Sequence, residues 1–271
     1  VTSAQLGVPA EDIEVVSGDT STIALGHGGF ASRQTVTAGS SVHRAAEEVR
    51  SKIVKMAAHL LEAAEEDIEI VDATARVRGS DLSVTIREVA EACGGAPGYS
   101  MAKGIEPGLE AAAHFTPEAL TYSNGVQVVE VEVDIGTGLV TFLKYVVVSD
   151  CGTLINPMMV DGQIAGGVAH GIGNALFEWM GYDEHGQPIT TNFGEYTMPT
   201  ATELINFDLF YEHSPTPLNP LGVKGVGETG TVPAAGAIIS AVENALEPFG
   251  VKITDYPVTP SRIVELVNSA K

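Results

Sequence analysis

Asn219-Pro220-Leu221-Gly222-Val223-Lys224-Gly225-Val226-Gly227-Glu228-Thr229-Gly230 sets four glycines around one carboxylate and runs directly into helix-start signals. The glycines at 222, 225, 227 and 230 permit positive φ and close approach to a neighbour, so the stretch builds a thin-walled loop rather than a regular element. Glu228 is the one ionisable group at its tip. Thr231 and Pro233 then announce a helix, proline being tolerated in a first turn where its missing N–H costs nothing. A carboxylate just ahead of that turn feels the positive helix end. Such a loop fits two tasks: presenting a general base to a bound molecule, or cradling an anion with backbone N–H groups. The phosphate-loop form of the second requires Gly-Lys-Ser/Thr, and here Lys224 is followed by Gly225, so that pattern fails. A solvated glutamate in a flexible turn is the plain alternative.

Downstream, Ile238, Ala241, Val242, Ala245 and Leu246 recur at helical spacing and Pro248 and Gly250 stop the helix. A strand over 251–255 and a helix opened by Thr259-Pro260 are expected to finish the chain. Upstream, the Pro-rich run from Ser214 delivers the chain into the loop, after expected strands over 188–197 and 205–212. A helix over 161–178 carries five glycines, each costing a helix interior roughly 1 kcal/mol against alanine, so close approach by a backbone or ligand is the expected reason for them. Its Ile164, Val168, Ile172 and Leu176 form an apolar stripe, while Gln163, Gly167, His170 and Asn174 form a polar stripe short of charge that suits a buried polar ligand. His170 by itself reads more naturally as a structural histidine than as a catalyst.

Before that helix, Val129, Val131 and Val133 alternate with Glu130, Glu132 and Asp134, and Gly136-Thr137-Gly138 turns the chain into a second strand ending near Val148, a half-exposed antiparallel hairpin. Residues 94–124 read as a long Gly/Pro/Ala-rich connection between two halves. The first half holds a short strand at Ile13 and Val15, a Gly/Ser/Thr-rich loop, an amphipathic helix over about 41–64, and a short helix opened by the capping box Thr85-Ile86-Arg87-Glu88. Long loops of this kind tend to be functional.

With 14 Lys and Arg against 35 Asp and Glu, the formal charge of −21 argues against nucleic acid, whose phosphates demand basic clusters. No apolar run is long enough to span a membrane. Cys93 and Cys151 have no CxxC spacing and the histidines no HExxH, so no disulfide framework and no protein-built metal site is expected. The cysteines read as reduced core residues of a cytoplasmic protein. The chain starts at Val1 inside a helix-like segment, so further sequence upstream is expected.

The run Pro220–Gly230 closely resembles the active-site signature of the molybdenum hydroxylases, the family of xanthine dehydrogenases, aldehyde oxidases and aerobic carbon monoxide dehydrogenases. Three further segments resemble the family in order: Ala31-Ser32-Arg33 with Gly39 and Val42, Asp150 with Gly152 and Ile155-Asn156-Pro157, and Gly162-Gln163. The whole chain is similar to the C-terminal part of the molybdenum-binding large subunit, with the flanks of the loop nearest the carbon monoxide dehydrogenase-like large chain. The resemblance implies an α+β fold of two subdomains with mixed or antiparallel sheets and flanking helices, the second molybdopterin-binding domain type. Residues 1–120 would be the first half, with a cofactor loop over 26–40 and the long helix, and 121–271 the second, with the glycine-rich helix and the Glu228 loop.

The resemblance also implies roles. Glu228 would be the catalytic base; Ala31, Ser32, Arg33, Gln34, Gln163 and Gly227 would bind molybdopterin carrying molybdenum, for which the cytosine dinucleotide form is one version, and no residue would ligate the metal directly. The implied chemistry is oxidation of a small-molecule substrate with oxygen drawn from water, electrons leaving through iron–sulfur and FAD subunits. The N-terminal remainder of the large subunit would complete the site, since half of the cofactor pocket precedes Val1. The competing expectation is a catalytically silent scaffold that keeps the loop without turnover. Lys224 stands near enough in sequence to pair with Glu228.

Overall fold

The computed structural model describes residues 1–23, 26, 28–94 and 104–270. Position 27 of the glycine-rich loop and 95–103 of the long connection lie outside the described residues. The fold is α+β, and it divides into two compact units. One comprises Val1–Phe30, Gln34–Ala119 and Leu218–Leu221; the other comprises Ala31–Arg33, Leu120–Pro217 and Gly222–Lys271.

In the first unit, α1 (Thr2–Leu6) ends on Gly7 in the left-handed region, and α2 (Ser40–Leu60) follows a wide π turn over Thr35–Gly39. The buried face of α2 carries Ala46, Ile53, Met56 and Ala57, and Glu47 and Glu48 face outward, as its helical periodicity dictates. Val42 and Leu60, near the two ends of that helix, are exposed. A three-stranded antiparallel sheet, β1 (Ile68–Val71), β2 (Thr74–Val77) and β3 (Ser83–Thr85), packs with α2 and with α3 (Ile86–Gly94). The alternation Ile68-Glu69-Ile70, with both isoleucines buried, is the signal of a sheet the sequence reading passed over. The capping box forms as expected: Thr85 N–H donates to Glu88 Oε2 at 2.8 Å, and Glu88 N–H to Thr85 Oγ1 at 3.2 Å.

The second unit is built on the hairpin β4 (Asn124–Val133) and β5 (Val140–Asp150), antiparallel in the register Val133↔Val140 to Asn124↔Asp150. A short β6 (Asp208–Tyr211) adds parallel to β5, making the sheet mixed. Helices α4 (Pro157–Leu176), α5 (Ala234–Ala245) and α6 (Pro260–Ser269) contribute to one core with the sheet's inner face. The stripe Ile164, Val168, Ile172 and Leu176 is buried against Tyr145, Val147, Ile238, Val242 and Ile263. Each such side chain removed from water contributes roughly 1.5–3 kcal/mol, which makes this cluster the platform on which the loop rests.

Three expected strands are absent from the described residues. Residues 10–12 form a 3-10 turn, after which Val15 stands exposed with no ladder. Over 188–197 the only pairing is a bridge of Pro188 to Tyr182, because Asp183 Oδ1 accepts the N–H groups of His185 and Gln187, and Asn192 Oδ1 that of Gly194. Short polar side chains compete there with the ladder for the backbone. Over 251–255 the Ile253 N–H donates instead to Glu243 Oε2 at 2.8 Å.

Candidate active site at the glycine loop

Helix α4 starts four residues earlier than its periodicity suggests, because Asn156 Oδ1 accepts the Met159 N–H at 3.3 Å and Pro157 fills the first turn. Two of its glycines serve the neighbouring loop. A Cβ on Gly167 would stand 2.9 Å from both Gly230 Cα and Thr231 N, and one on Gly171 would run into the Ala234 side chain. A Cβ on Gly230 would collide in turn with the Ile164 carbonyl. Backbone therefore packs on backbone, and Thr231 Oγ1 donates to Gly167 O at 3.1 Å. This replaces the helix-capping role expected of Thr231: α5 begins at Ala234 with no side-chain cap, and Glu228 precedes it by six positions.

The upstream limb of the loop is pinned to the end of β5. Gly152 bridges Val223, Lys224 N–H donates to Cys151 O at 2.7 Å, and Thr153 N–H to Gly222 O at 3.1 Å. Lys224 Nζ reaches Asp150 Oδ2 at 2.7 Å and Ser214 Oγ at 3.1 Å. Lys224 thus pairs with Asp150, not with Glu228 as its sequence position suggested. Burial by itself would raise the Asp150 pKa, but the Lys224 ammonium and the N–H groups of Gly152 and Ser214 outweigh it and hold the carboxyl below the usual carboxylate range.

At the tip, Ala31 and Ser32 adopt φ of 55° and 51°, left-handed conformations that cost a non-glycine residue on the order of 1–2 kcal/mol. The bend carries Ser32 onto the loop: a Cβ on Gly225 would stand 2.9 Å from Ser32 Cβ, and one on Gly227 would stand 3.2 Å from Ser32 Oγ and 3.5 Å from Gln163 Oε1. Ser32 Oγ donates to Glu228 Oε2 at 2.6 Å and accepts the Glu228 N–H at 3.0 Å. Ser32, Gln163, Gly227 and Glu228 are thereby brought together from positions 196 residues apart at the extremes. Ala31 is exposed and Arg33 half-buried beside Ser32; Gln34 is exposed and belongs to the first unit.

The surroundings of the tip are open and polar. Gln163 is exposed on α4, and a Cβ on either Gly162 or Gly166 would meet no atom within 4 Å, so this strip of the helix is open. The Val226 and Gly227 N–H groups find no acceptor among the described residues, leaving two donors at the tip. No group of three or more His, Cys, Asp or Glu side chains able to hold a metal occurs among the described residues.

Two supporting residues escaped the sequence reading. Gln127 donates from Nε2 to Gly230 O at 2.9 Å and accepts the Tyr145 hydroxyl at 2.7 Å, tying the loop to the core; Ser123 and Thr229 hydroxyls meet at 2.8 Å. Gln127 shares the inward register of Val129, Val131 and Val133, and a polar side chain at that position was the available signal.

The family model described as "Molybdopterin cofactor-binding domain" matches residues 1–205, and the chain belongs to that family. It is 41% identical over 96% of its length to the nicotine 6-hydroxylase large subunit of Paenarthrobacter nicotinovorans, and 34% identical over 97% to the carbon monoxide dehydrogenase large chain of Hydrogenophaga pseudoflava. It covers 32% of each of those relatives, so it spans about a third of their length. Among solved structures, quinoline 2-oxidoreductase from Pseudomonas putida 86 aligns with 98% of the chain at TM-score 0.88 and 38% identity, the chain covering 34% of it. The Cu,Mo-CO dehydrogenase aligns with 99% at TM-score 0.88 and 32% identity, again with 34% of that chain covered. Among the described residues, no helix is long and apolar enough to cross a membrane.

Proposed function

We propose that this chain contributes the base and part of the cofactor cradle to a molybdenum-dependent oxidoreductase that oxidises a small molecule with oxygen drawn from water. The observation that supports the reading is that the Glu228 carboxylate, on a loop otherwise poor in side chains, is held by Ser32 at 2.6 Å, while the adjoining Gly227 packs near the Gln163 amide of α4. The resemblance assigns Ala31, Ser32, Arg33, Gln34, Gln163 and Gly227 to molybdopterin, whose molybdenum would supply the two-electron oxidation when bound. Glu228 receives the proton released as water oxygen is transferred. A carboxylate on a backbone held by α4, β5 and the 30s bend is well suited to that task, since general bases work within hydrogen-bond reach of the proton they take.

The reading requires partners: the N-terminal remainder of the large subunit, an iron–sulfur subunit and an FAD subunit to receive electrons. Glu228→Gln in the assembled enzyme tests it, because the amide keeps size and hydrogen bonding but accepts no proton. Turnover is expected to fall by about 100- to 10,000-fold with molybdenum and pterin retained. Unaltered turnover would favour the silent scaffold instead.

A further inference from the structure

We propose that Ser32, which the family resemblance assigns to the cofactor, is a positioning residue for Glu228: it holds Oε2 and leaves Oε1 as the oxygen that receives the proton. The proposal rests on the reading of Glu228 as the base and adds what directs it.

Proton counting carries the argument. A serine hydroxyl has one proton to donate and two lone pairs to accept with. A backbone N–H can only donate, so the 3.0 Å contact from Glu228 N–H occupies one lone pair of Ser32 Oγ. The hydroxyl's single proton then runs to Glu228 Oε2 at 2.6 Å, a distance typical of a hydrogen bond to an ionised carboxylate. Ser32 has no second proton for a pterin. The same count fixes which carboxylate oxygen is free, because Oε1 has no hydrogen-bond partner among the described residues.

The backbone is arranged for this contact. Two successive residues, Ala31 and Ser32, sit in the left-handed region, and Gly225 and Gly227 lack the side chains that would block Ser32 from the loop. A Cβ at 225 would press on Ser32 Cβ and on the Ser32 carbonyl, at 2.9 and 3.0 Å. The glycines of the signature therefore admit a serine from a remote segment to the base. The closed ring of N–H, hydroxyl and carboxylate removes rotational freedom from the Glu228 side chain, which is the form of pre-organisation that proton abstraction rewards.

The test compares Ser32→Ala and Ser32→Gly with Glu228→Gln in the assembled enzyme, measuring molybdenum and pterin per chain as well as kcat and KM. Glycine removes the hydroxyl while relieving the left-handed backbone, so agreement between the two variants separates the hydroxyl from backbone strain. Both are expected to keep wild-type molybdenum and pterin content, to lose about 10- to 100-fold in kcat per molybdenum, and to keep KM within about twofold. In the Glu228→Gln background, removing the hydroxyl is expected to cost no further turnover. Loss of cofactor with kcat per molybdenum unchanged would overturn the proposal and return Ser32 to the cofactor. Unchanged content with unchanged kcat would overturn it too. Full turnover by Glu228→Gln would sink the base reading instead, whatever the Ser32 variants do.

Discussion

Lys224 Nζ lies 2.7 Å from Asp150 Oδ2 with their side chains only 9% and 12% exposed, so a nearly buried ion pair joins the end of β5 to the start of the Glu228 loop. The Asp150 carboxylate also accepts the N–H groups of Gly152 at 2.9 Å and Ser214 at 3.2 Å, so one side chain gathers three stretches of backbone. Buried pairs of this kind matter chiefly through what is left when one partner goes.

Lys224→Met is accordingly expected to destabilise the second unit by about 3–5 kcal/mol, because it leaves a carboxylate buried without its cation. The double variant Lys224→Met/Asp150→Leu is expected to recover much of that loss. Urea unfolding of the two variants and the parent measures both numbers.

Acid should act through the same pair. The folded pKa of Asp150 lies below its ordinary value of 3.8, so its contribution to stability is present above about pH 4 and is lost as pH falls through the lowered folded value. Unfolding free energy measured from pH 6 down to 2 is expected to fall more steeply for the parent than for Asp150→Asn. Equal slopes would show that the pair contributes nothing to acid sensitivity.

The glycines of α4 divide into two kinds. Gly167→Ala places a methyl 2.9 Å from Gly230 Cα and is expected to cost about 1–3 kcal/mol and to displace the loop. Gly166→Ala meets no atom within 4 Å and is expected to stabilise the chain by up to about 1 kcal/mol. If the cofactor lies along that strip, the same methyl lowers the molybdenum content of the assembled enzyme. Thermal melts and metal analysis on the same samples separate the two effects.

Tyr145→Phe removes the donor to Gln127 Oε1 while leaving the ring that packs edge-on to Phe207 at 5.4 Å. A stability loss of about 1–3 kcal/mol is expected from the unsatisfied amide oxygen. A larger loss, measured by calorimetry, would mean that the ring packing had been disturbed as well.

Local chemistry made much of this molecule legible in its sequence. Periodicity marked α2 and α4, the capping box marked α3, and the Val/Glu alternation marked the β4–β5 hairpin, because each depends on residues a few positions apart. The Glu228 loop was legible for the same reason: clustered glycines around one carboxylate are a local fact. The expected strands over 13–15, 188–197 and 251–255 did not form, since a strand needs a partner that the strand's own residues do not name.

Tertiary structure alone decided what surrounds the carboxylate. Nothing in the order of residues says that Lys224 turns to Asp150 rather than to Glu228, or that Ser32 crosses 196 positions to hold it. Those choices depend on backbone approach at Gly167, Gly225 and Gly230, where the absence of a side chain matters only once the facing segment has arrived. Sequence specified the Glu228 carboxylate on its glycine loop; packing specified its hydrogen bonds, because contacts between distant segments are set by the core that brings them together.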